Sequence, residues 1–346
     1  MTAMAGVPSS VAASGLGALA VGAVGDYVPH PMHAGERIWA ETNCYIDLWV
    51  ELLHSLGCDP VPAAACAFSA DFDGDQWRFL KFEPGDLRRL YGIDVAEMNV
   101  WRPVLEHVLE QFGRGRLLTV EVDSYWLPDT AATAYRRSHV KTTIVPAFAE
   151  VETRTLRYFH NAGFFELSGD DFDGVFRCGP SAPASAAGEL DDHLPPYVEL
   201  VRLDGGVRPD DAALREVAVS LAHEHLSRRP LDNPVARLGE AVRRELPALA
   251  GHDLEWFHAY AFGVFRQCGA TAELAASFVE WLERHAGTHF GSASDDLRHV
   301  AAAMKSLQFQ VSRAARGRAV DIDETLDGAV RAWHSAMRTL VAWHDR

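Results

Sequence analysis

A change of character near residue 209 constrains this chain more than any other feature. Before it, β-branched or alternating runs such as 117–123 (LLTVEVD), 140–145 (VKTTIV) and 154–159 (RTLRYF) are interleaved with helical stretches. After it, segments 210–229, 233–250, 252–268, 270–287, 293–316 and 321–345 each show helical spacing between proline or glycine breaks, with little β-branched clustering. Runs of high strand propensity need partners in a sheet, whereas consecutive amphipathic helices bury their apolar faces against one another. The expected fold class is therefore α+β, with a mobile leader over 1–27, an α+β domain over 28–208 and an α-helical domain over 209–346. Residues 179–190 (GPSAPASAAGEL) read as a linker, being small and proline-bearing.

The bulk numbers narrow the function classes. A chain of 346 residues with 48% hydrophobic content can bury a sizeable core. Its net charge of −16 argues against a nucleic-acid binder, whose footprint is basic. The five cysteines are odd in number and include no CxxC pair, which speaks against a disulfide framework or a thiolate zinc site and for a cytoplasmic location. The Ala/Gly/Val/Ser-rich start lacks the basic region of a secretory signal, and no uncharged apolar run reaches about 18 residues, so no membrane association is expected.

Two metal-like patterns fail on spacing. Asp71-Phe72-Asp73-Gly74-Asp75 opens like a calcium loop, but Gln76 stands where that loop needs glycine and Phe82 where it needs glutamate. His223-Glu224-His225 puts its histidines at i and i+2, which do not share a helix face. No metal is expected.

The most informative stretch is 42–57. Tyr45, Leu48, Trp49, Leu52, Leu53 and Leu56 fall on one face of an amphipathic helix that Gly57 stops. Thr42 or Asn43 can cap its start, which sets Cys44 in the first turn, where unpaired N–H groups and the helix dipole favour a thiolate. Such a nucleophile needs a histidine base. His139, at the head of the run 140–145, is the candidate. If the hairpin that follows is centred near residue 150, opposing residues sum to about 300 and Asn161 falls beside His139. A slip of one residue brings His160 there instead.

A cysteine at a helix start, a later histidine opening a strand and a polar residue across the next strand follow the order of parts in papain-like enzymes. Asn43-Cys44 on its helix, Val122-Asp123-Ser124-Tyr125-Trp126-Leu127-Pro128, His139 and the helical tail together resemble the butirosin-biosynthesis-type acyltransferase family. The chain is also similar to an uncharacterised bacterial family encountered beside amino acid:carrier protein ligases. The resemblance implies a papain-like α+β domain in which Cys44 takes an acyl or aminoacyl group from the phosphopantetheine thioester of a carrier protein and passes it to a small-molecule amine, with His139 as base. It implies no bound cofactor, since the phosphopantetheine belongs to the partner. The family's third member is acidic, whereas this chain offers Asn161, with His160 adjacent. Asp123 and Tyr125 are candidates for binding the amino group or the acceptor, and Arg136, Arg137 and Lys141 for docking an acidic carrier. A cysteine hydrolase and a non-catalytic binding protein are the alternative outcomes on the same scaffold.

Overall fold

The computed structural model describes residues 23–33, 37–178, 195–203 and 211–346, so the expected linker lies outside the described residues. In chain order these form α1 (Cys44–Ser55), a 3-10 helix (Val61–Ser69), α2 (Pro84–Tyr91), β1 (Asp94–Glu97), α3 (Val104–Phe112), β2 (Leu117–Asp123), β3 (Lys141–Glu150), β4 (Thr155–His160) and β5 (Gly163–Ser168). There follow α4 (Asp170–Phe176), β6 (Val198–Arg202), α5 (Asp211–Ser227), α6 (Pro234–Glu245), α7 (Leu254–Ala261), α8 (Gln267–Ala286), α9 (Ala293–Ala314) and α10 (Asp323–His344). The fold is α+β. The chain divides into two compact units, each assembled from three separate segments. The first takes the described residues of Met1–His30, Asp47–Cys58 and Tyr91–Arg208, and the second those of Pro31–Ile46, Asp59–Leu90 and Pro209–Arg346.

The first unit is built on a six-stranded antiparallel sheet in the order β1-β6-β2-β3-β4-β5. Strand β3 runs further than the sequence suggests. From the sequence, Pro146 reads as the start of a turn, but β3 continues through it to Glu150, with an irregularity in register between Pro146 and Phe148. The proline is tolerated because β2 pairs β3 only as far as Ile144, so past that point one edge of β3 makes no ladder with β2. The chain then turns over 151–154, beyond the expected centre.

Residue Glu51 of α1 is fully buried, with 0% exposure, although the pattern 45–56 would leave it on a solvent face. Its carboxylate accepts hydrogen bonds from the Tyr27 hydroxyl and from the His30 backbone N–H at 3.1 Å. Burial, reinforced by the neighbouring carboxylate, pushes the Tyr27 phenol far above its ordinary pKa and keeps it a donor. The Tyr27 ring in turn lies 5.6 Å from Phe159 and 5.7 Å from Phe164. Tyr27 was expected to close a mobile leader; it is instead anchored to both the helix and the sheet. The rest of that leader, through residue 22, lies outside the described residues.

The second unit is helical. The 3-10 helix Val61–Ser69 packs on α5 and α8, α8 packs on α9, and α10 on α9 and α6. Residues 77–82 (WRFLKF) alternate in sequence as a strand would, but they form none: only Phe72 and Trp77 make a β-bridge, and the Trp77 N–H bonds Gly263 O at 2.9 Å. The acidic stretch before it is a turn held by Arg237 to Asp71 and by Arg78 to Asp73. Buried Glu273 on α8 accepts the backbone N–H groups of Ile38 and Trp39 at 2.9 Å each, and the Trp39 indole donates to Ala301 O at 3.1 Å. At Gly269 a Cβ would overlap this indole, which is why α8 carries a glycine mid-helix there.

The helical unit also carries a pH dependence. His223 stacks on Trp343, centroids 4.2 Å apart, and its ring nitrogen lies 3.0 Å from that of His344. Burial, then the neighbouring His344, lower its pKa. An unfolded imidazole titrates near about 6.5, so below that pH the unfolded chain binds a proton that the folded chain refuses. The contribution of His223 to stability is therefore fully present above about 6.5 and is lost as pH falls below it. Urea midpoints measured from pH 8 to pH 5 should show this decline, and His223→Gln should flatten it.

Candidate active site

Helix α1 begins where the sequence places it, and the structure selects its cap. The Asn43 side-chain oxygen accepts the backbone N–H of Tyr45 at 3.0 Å and of Ile46 at 2.9 Å. The Asn43 amide then donates to Leu80 O at 3.1 Å and to Gln267 Oε1 at 3.2 Å, while Gln267 Nε2 donates to Thr42 O at 3.4 Å. Cys44 is thereby fixed in the first helical turn, half-buried. Gln267, 1% exposed, is a positioning residue that the sequence did not reveal. Its only signal was a polar residue inside an apolar helix.

The remaining cysteines divide on burial. Burial drives the thiol of Cys268 well above its ordinary pKa. Cys66 is raised likewise, chiefly by burial and then by the carboxylates of Asp86 and Glu83. Cys178 is pushed up to about 11 by burial and then by Asp173.

In the first unit, Asp123, Tyr125 and His139 come together. Asp123 ends β2 and caps the 3-10 turn Ser124–Trp126, its Oδ1 accepting the Tyr125 N–H at 3.0 Å. Its Oδ2 lies 2.5 Å from His139 Nδ1. An ionised carboxylate can only accept, so Nδ1 carries the proton and the free electron pair of the neutral ring is on Nε2. The Tyr125 ring stacks on the imidazole, centroids 4.5 Å apart and planes 14° from parallel. Both residues, proposed from the sequence as substrate contacts, are thus also the groups that orient His139.

The platform under this turn is rigid. Trp126 meets Tyr125 edge-on at 5.1 Å, and a Cβ at Gly174 of α4 would overlap the Trp126 ring, so the indole lies directly on helix backbone. Arg136, at φ +55°, places its guanidinium 4.3 Å from the Trp126 ring and 2.5 Å from Asp171, which also accepts from the Tyr135 hydroxyl at 3.0 Å. Lys141 pairs with Glu121 at 2.7 Å, while Arg137 is exposed. Of the three expected docking cations, two are therefore tied to carboxylates of the same unit.

Asn161 does not fall beside His139. Ile144, rather than Val140, stands opposite His160, and His139 precedes β3 altogether. Asn161 occupies the left-handed position (φ +45°) of the turn from β4 to β5. The expected register fails because the hairpin turns later than residue 150. His160 is 1% exposed and belongs to a separate chain of hydrogen bonds: its Nδ1 lies 2.5 Å from Asp129 Oδ2 and its Nε2 2.7 Å from Thr142 Oγ1. Asp129 also accepts from the Tyr158 hydroxyl at 2.5 Å. Both nitrogens of His160 are thus occupied within the fold. Among the described residues, no hydrogen bond joins Asn161 to His139. Cys44 belongs to the second unit, and His139, Asn161, Asp123 and Tyr125 to the first.

The described residues include one group with metal-ligand character: Glu83, Asp86 and His225, whose ligand atoms lie within 4.8 Å of one another. His225 Nε2 donates to Asp86 at 2.7 Å, and Nδ1 accepts from Ser69 at 2.9 Å and from Arg228 at 2.8 Å. Arg228 also bonds Glu83 at 3.1 Å. A guanidinium already supplies the positive charge here, and the cluster is a satisfied polar core that ties α2 to α5.

Residues 28–203 match the family model described as the DUF1839 N-terminal domain, and residues 211–342 that described as the DUF1839 C-terminal domain. A search of curated proteins found no match.

The raised thiols of Cys66, Cys178 and Cys268 give a labelling order. Brief treatment of the native protein with iodoacetamide near neutral pH, followed by peptide mass mapping, should modify Cys44 well before Cys66, Cys178 and Cys268. All of them should react once the chain is unfolded.

Proposed function

We propose that this chain, which belongs to the DUF1839 family, transfers an acyl or aminoacyl group from the phosphopantetheine thioester of a carrier protein to a small-molecule amine, on a papain-like scaffold. The observation that carries the reading is Cys44 in the first turn of an Asn43-capped helix, the position in which helix N–H groups favour a thiolate. The orientation of His139 by Asp123 supports its role as base. The resemblance of the Asn43-Cys44 and Val122–Pro128 motifs to butirosin-biosynthesis-type acyltransferases points to the acyl chemistry.

The steps balance without a bound cofactor. The Cys44 thiolate attacks the thioester carbonyl, and the tetrahedral adduct expels the phosphopantetheine thiolate, which is protonated by the imidazolium of His139. One thioester replaces another at little free-energy change. The amine then attacks the Cys44 thioester, its proton passes to His139, and Cys44 leaves as thiolate, giving an amide downhill. General-base assistance of this kind contributes on the order of 10²–10⁴ in rate. The backbone N–H of Cys44 is a candidate donor to the oxyanion. In this reading Asp123 acts through His139, and an acid at that position takes the part for which the sequence offered Asn161, with His160 adjacent.

The test uses an acylated carrier protein and intact-mass detection. Wild-type protein should gain an acyl adduct on Cys44 that hydroxylamine removes, and Cys44→Ala should abolish both adduct and transfer, whereas Cys58→Ala and Cys66→Ala retain them. His139→Ala should slow adduct formation by on the order of 10²–10⁴. Asp123→Asn should reduce the rate by about tenfold or more and move its pH profile, because the imidazole loses its charged partner. Full transfer by Cys44→Ala, or an adduct on another cysteine, overturns the reading. Release of free acid in place of amide redirects it to hydrolysis.

A further inference from the structure

The carrier protein of the reading above is acidic, and it must dock on a chain whose own net charge is −16. Arg136 and Lys141 are tied to carboxylates and offer little to a partner. Free cations gather instead at the C-terminal end of α9, where residues 313–318 read RAARGR. Arg313, Arg316 and Arg318 are all exposed, and among the described residues none of their side chains makes an ion pair or a hydrogen bond. The carboxylates that follow in sequence have other partners: Asp321 accepts the Asp323 N–H at 3.0 Å, and Asp323 pairs with Arg243 at 2.7 Å. One turn before Arg313, on the same helix face, stands Phe309, 62% exposed.

The backbone presses these charges together. Past α9 the chain reverses through Gly317, at φ +75°. The Gly317 N–H bonds Ala314 O at 2.8 Å and the Arg318 N–H bonds Arg313 O at 3.1 Å, the two bonds of a glycine-terminated helix end. That closure sets the residue after the glycine beside the one whose carbonyl it bonds, and the two side chains there commonly make an apolar contact. Here both are arginines. The negative end of the α9 dipole offsets part of their repulsion, and no carboxylate among the described residues offsets the rest. An exposed aromatic ring flanked by unpaired arginines has the composition of an interface hot spot, where aromatic residues and Arg are over-represented. Helix α9 also holds the segment that leads into Cys44: Ala301 O and Lys305 contact the Trp39 indole, in the same unit as Cys44. Arg313 stands about 12 Å further along the helix axis than Lys305.

We propose that this end of α9, with Phe309 as its apolar anchor and Arg313, Arg316 and Arg318 as its charged rim, is the surface that docks the acidic carrier protein. The identity of the partner rests on the acyl-transfer reading. Carboxylates of the carrier supply the counterions that the arginines lack, and an apolar side chain among them covers Phe309.

Calorimetric titration of the full-length protein with a bacterial holo acyl carrier protein, at rising salt, tests the surface; acyl-pantetheine, which has no protein surface, is the control substrate. The carrier should bind saturably, and more weakly as salt rises. Arg313→Gln, Arg318→Gln and Phe309→Ala should each raise its Kd by about tenfold. The urea midpoint of the two arginine variants should stay level or rise, because a like-charge contact is relieved, and acyl transfer to Cys44 from acyl-pantetheine should be unchanged. The proposal is overturned if the wild-type protein shows no saturable carrier binding up to about 1 mM, or if the variants bind the carrier as the wild type does. It is overturned equally if the variants lose transfer from acyl-pantetheine to the same degree, or if a DNA or RNA oligonucleotide binds more tightly than the carrier. Carrier binding that depends on these residues, with no adduct on Cys44 from either substrate, supports the docking surface and sinks the acyl-transfer reading instead.

Discussion

The side-chain amide of Asn43 holds together the part of the fold on which the reading of Cys44 rests. Its oxygen terminates the two leading N–H groups of α1, and its nitrogen is anchored to Leu80 O and to Gln267 on α8. A cap that is itself buried and anchored differs from a surface serine or aspartate at a helix start. Its geometry is fixed from both ends, so the first turn cannot fray and the Cys44 sulfur stays where the helix field is strongest. Replacing this amide with a carboxylate would keep the cap and lose both donations, leaving an acceptor facing acceptors. The position admits very little besides asparagine.

His139 is held by a different kind of interaction. Asp123 spends one oxygen on the backbone of its own turn and the other on the imidazole, so the orientation of a highly exposed ring is set by the conformation of the loop that follows β2. That loop is locked from below by Trp126 lying on the backbone at Gly174 and by Arg136 bridging the aromatic rings to Asp171. The ring is mobile only to the extent that this whole assembly is. Precision at a surface histidine is thereby obtained from half-buried aromatic packing.

What the sequence made legible was mostly local. The six helices after residue 209 were evident from period and breaks, as were the start of α1 and the strands β2 and β4. What it concealed depends on partners distant along the chain. Glu51 looked like a solvent-facing residue because its partner, Tyr27, stands 24 positions upstream. Trp77 to Phe82 alternate like a strand but no neighbouring segment pairs with more than Trp77, so propensity alone could not make one. The relation of Asp123 to His139 spans 16 residues across an irregular loop, where period gives no guidance. The register of the β3–β4 hairpin was missed because a proline in β3 reads as a turn unless the limit of its pairing with β2 is known.

The threading of the second unit has a consequence for synthesis. The contacts of Asn43 with Gln267 and of Trp39 with Ala301 join residues 224 and 262 positions apart. At ribosomal rates, roughly 10–50 s separate the emergence of Asn43 from that of α8. Throughout that interval the apolar segments before residue 90 that belong to the second unit, the 3-10 helix Val61–Ser69 among them, have been translated without the helices that will cover them. The nascent chain thus carries a hydrophobic stretch that stays uncovered for that interval, and the helical unit completes its core only after the helices α8 to α10 have been translated.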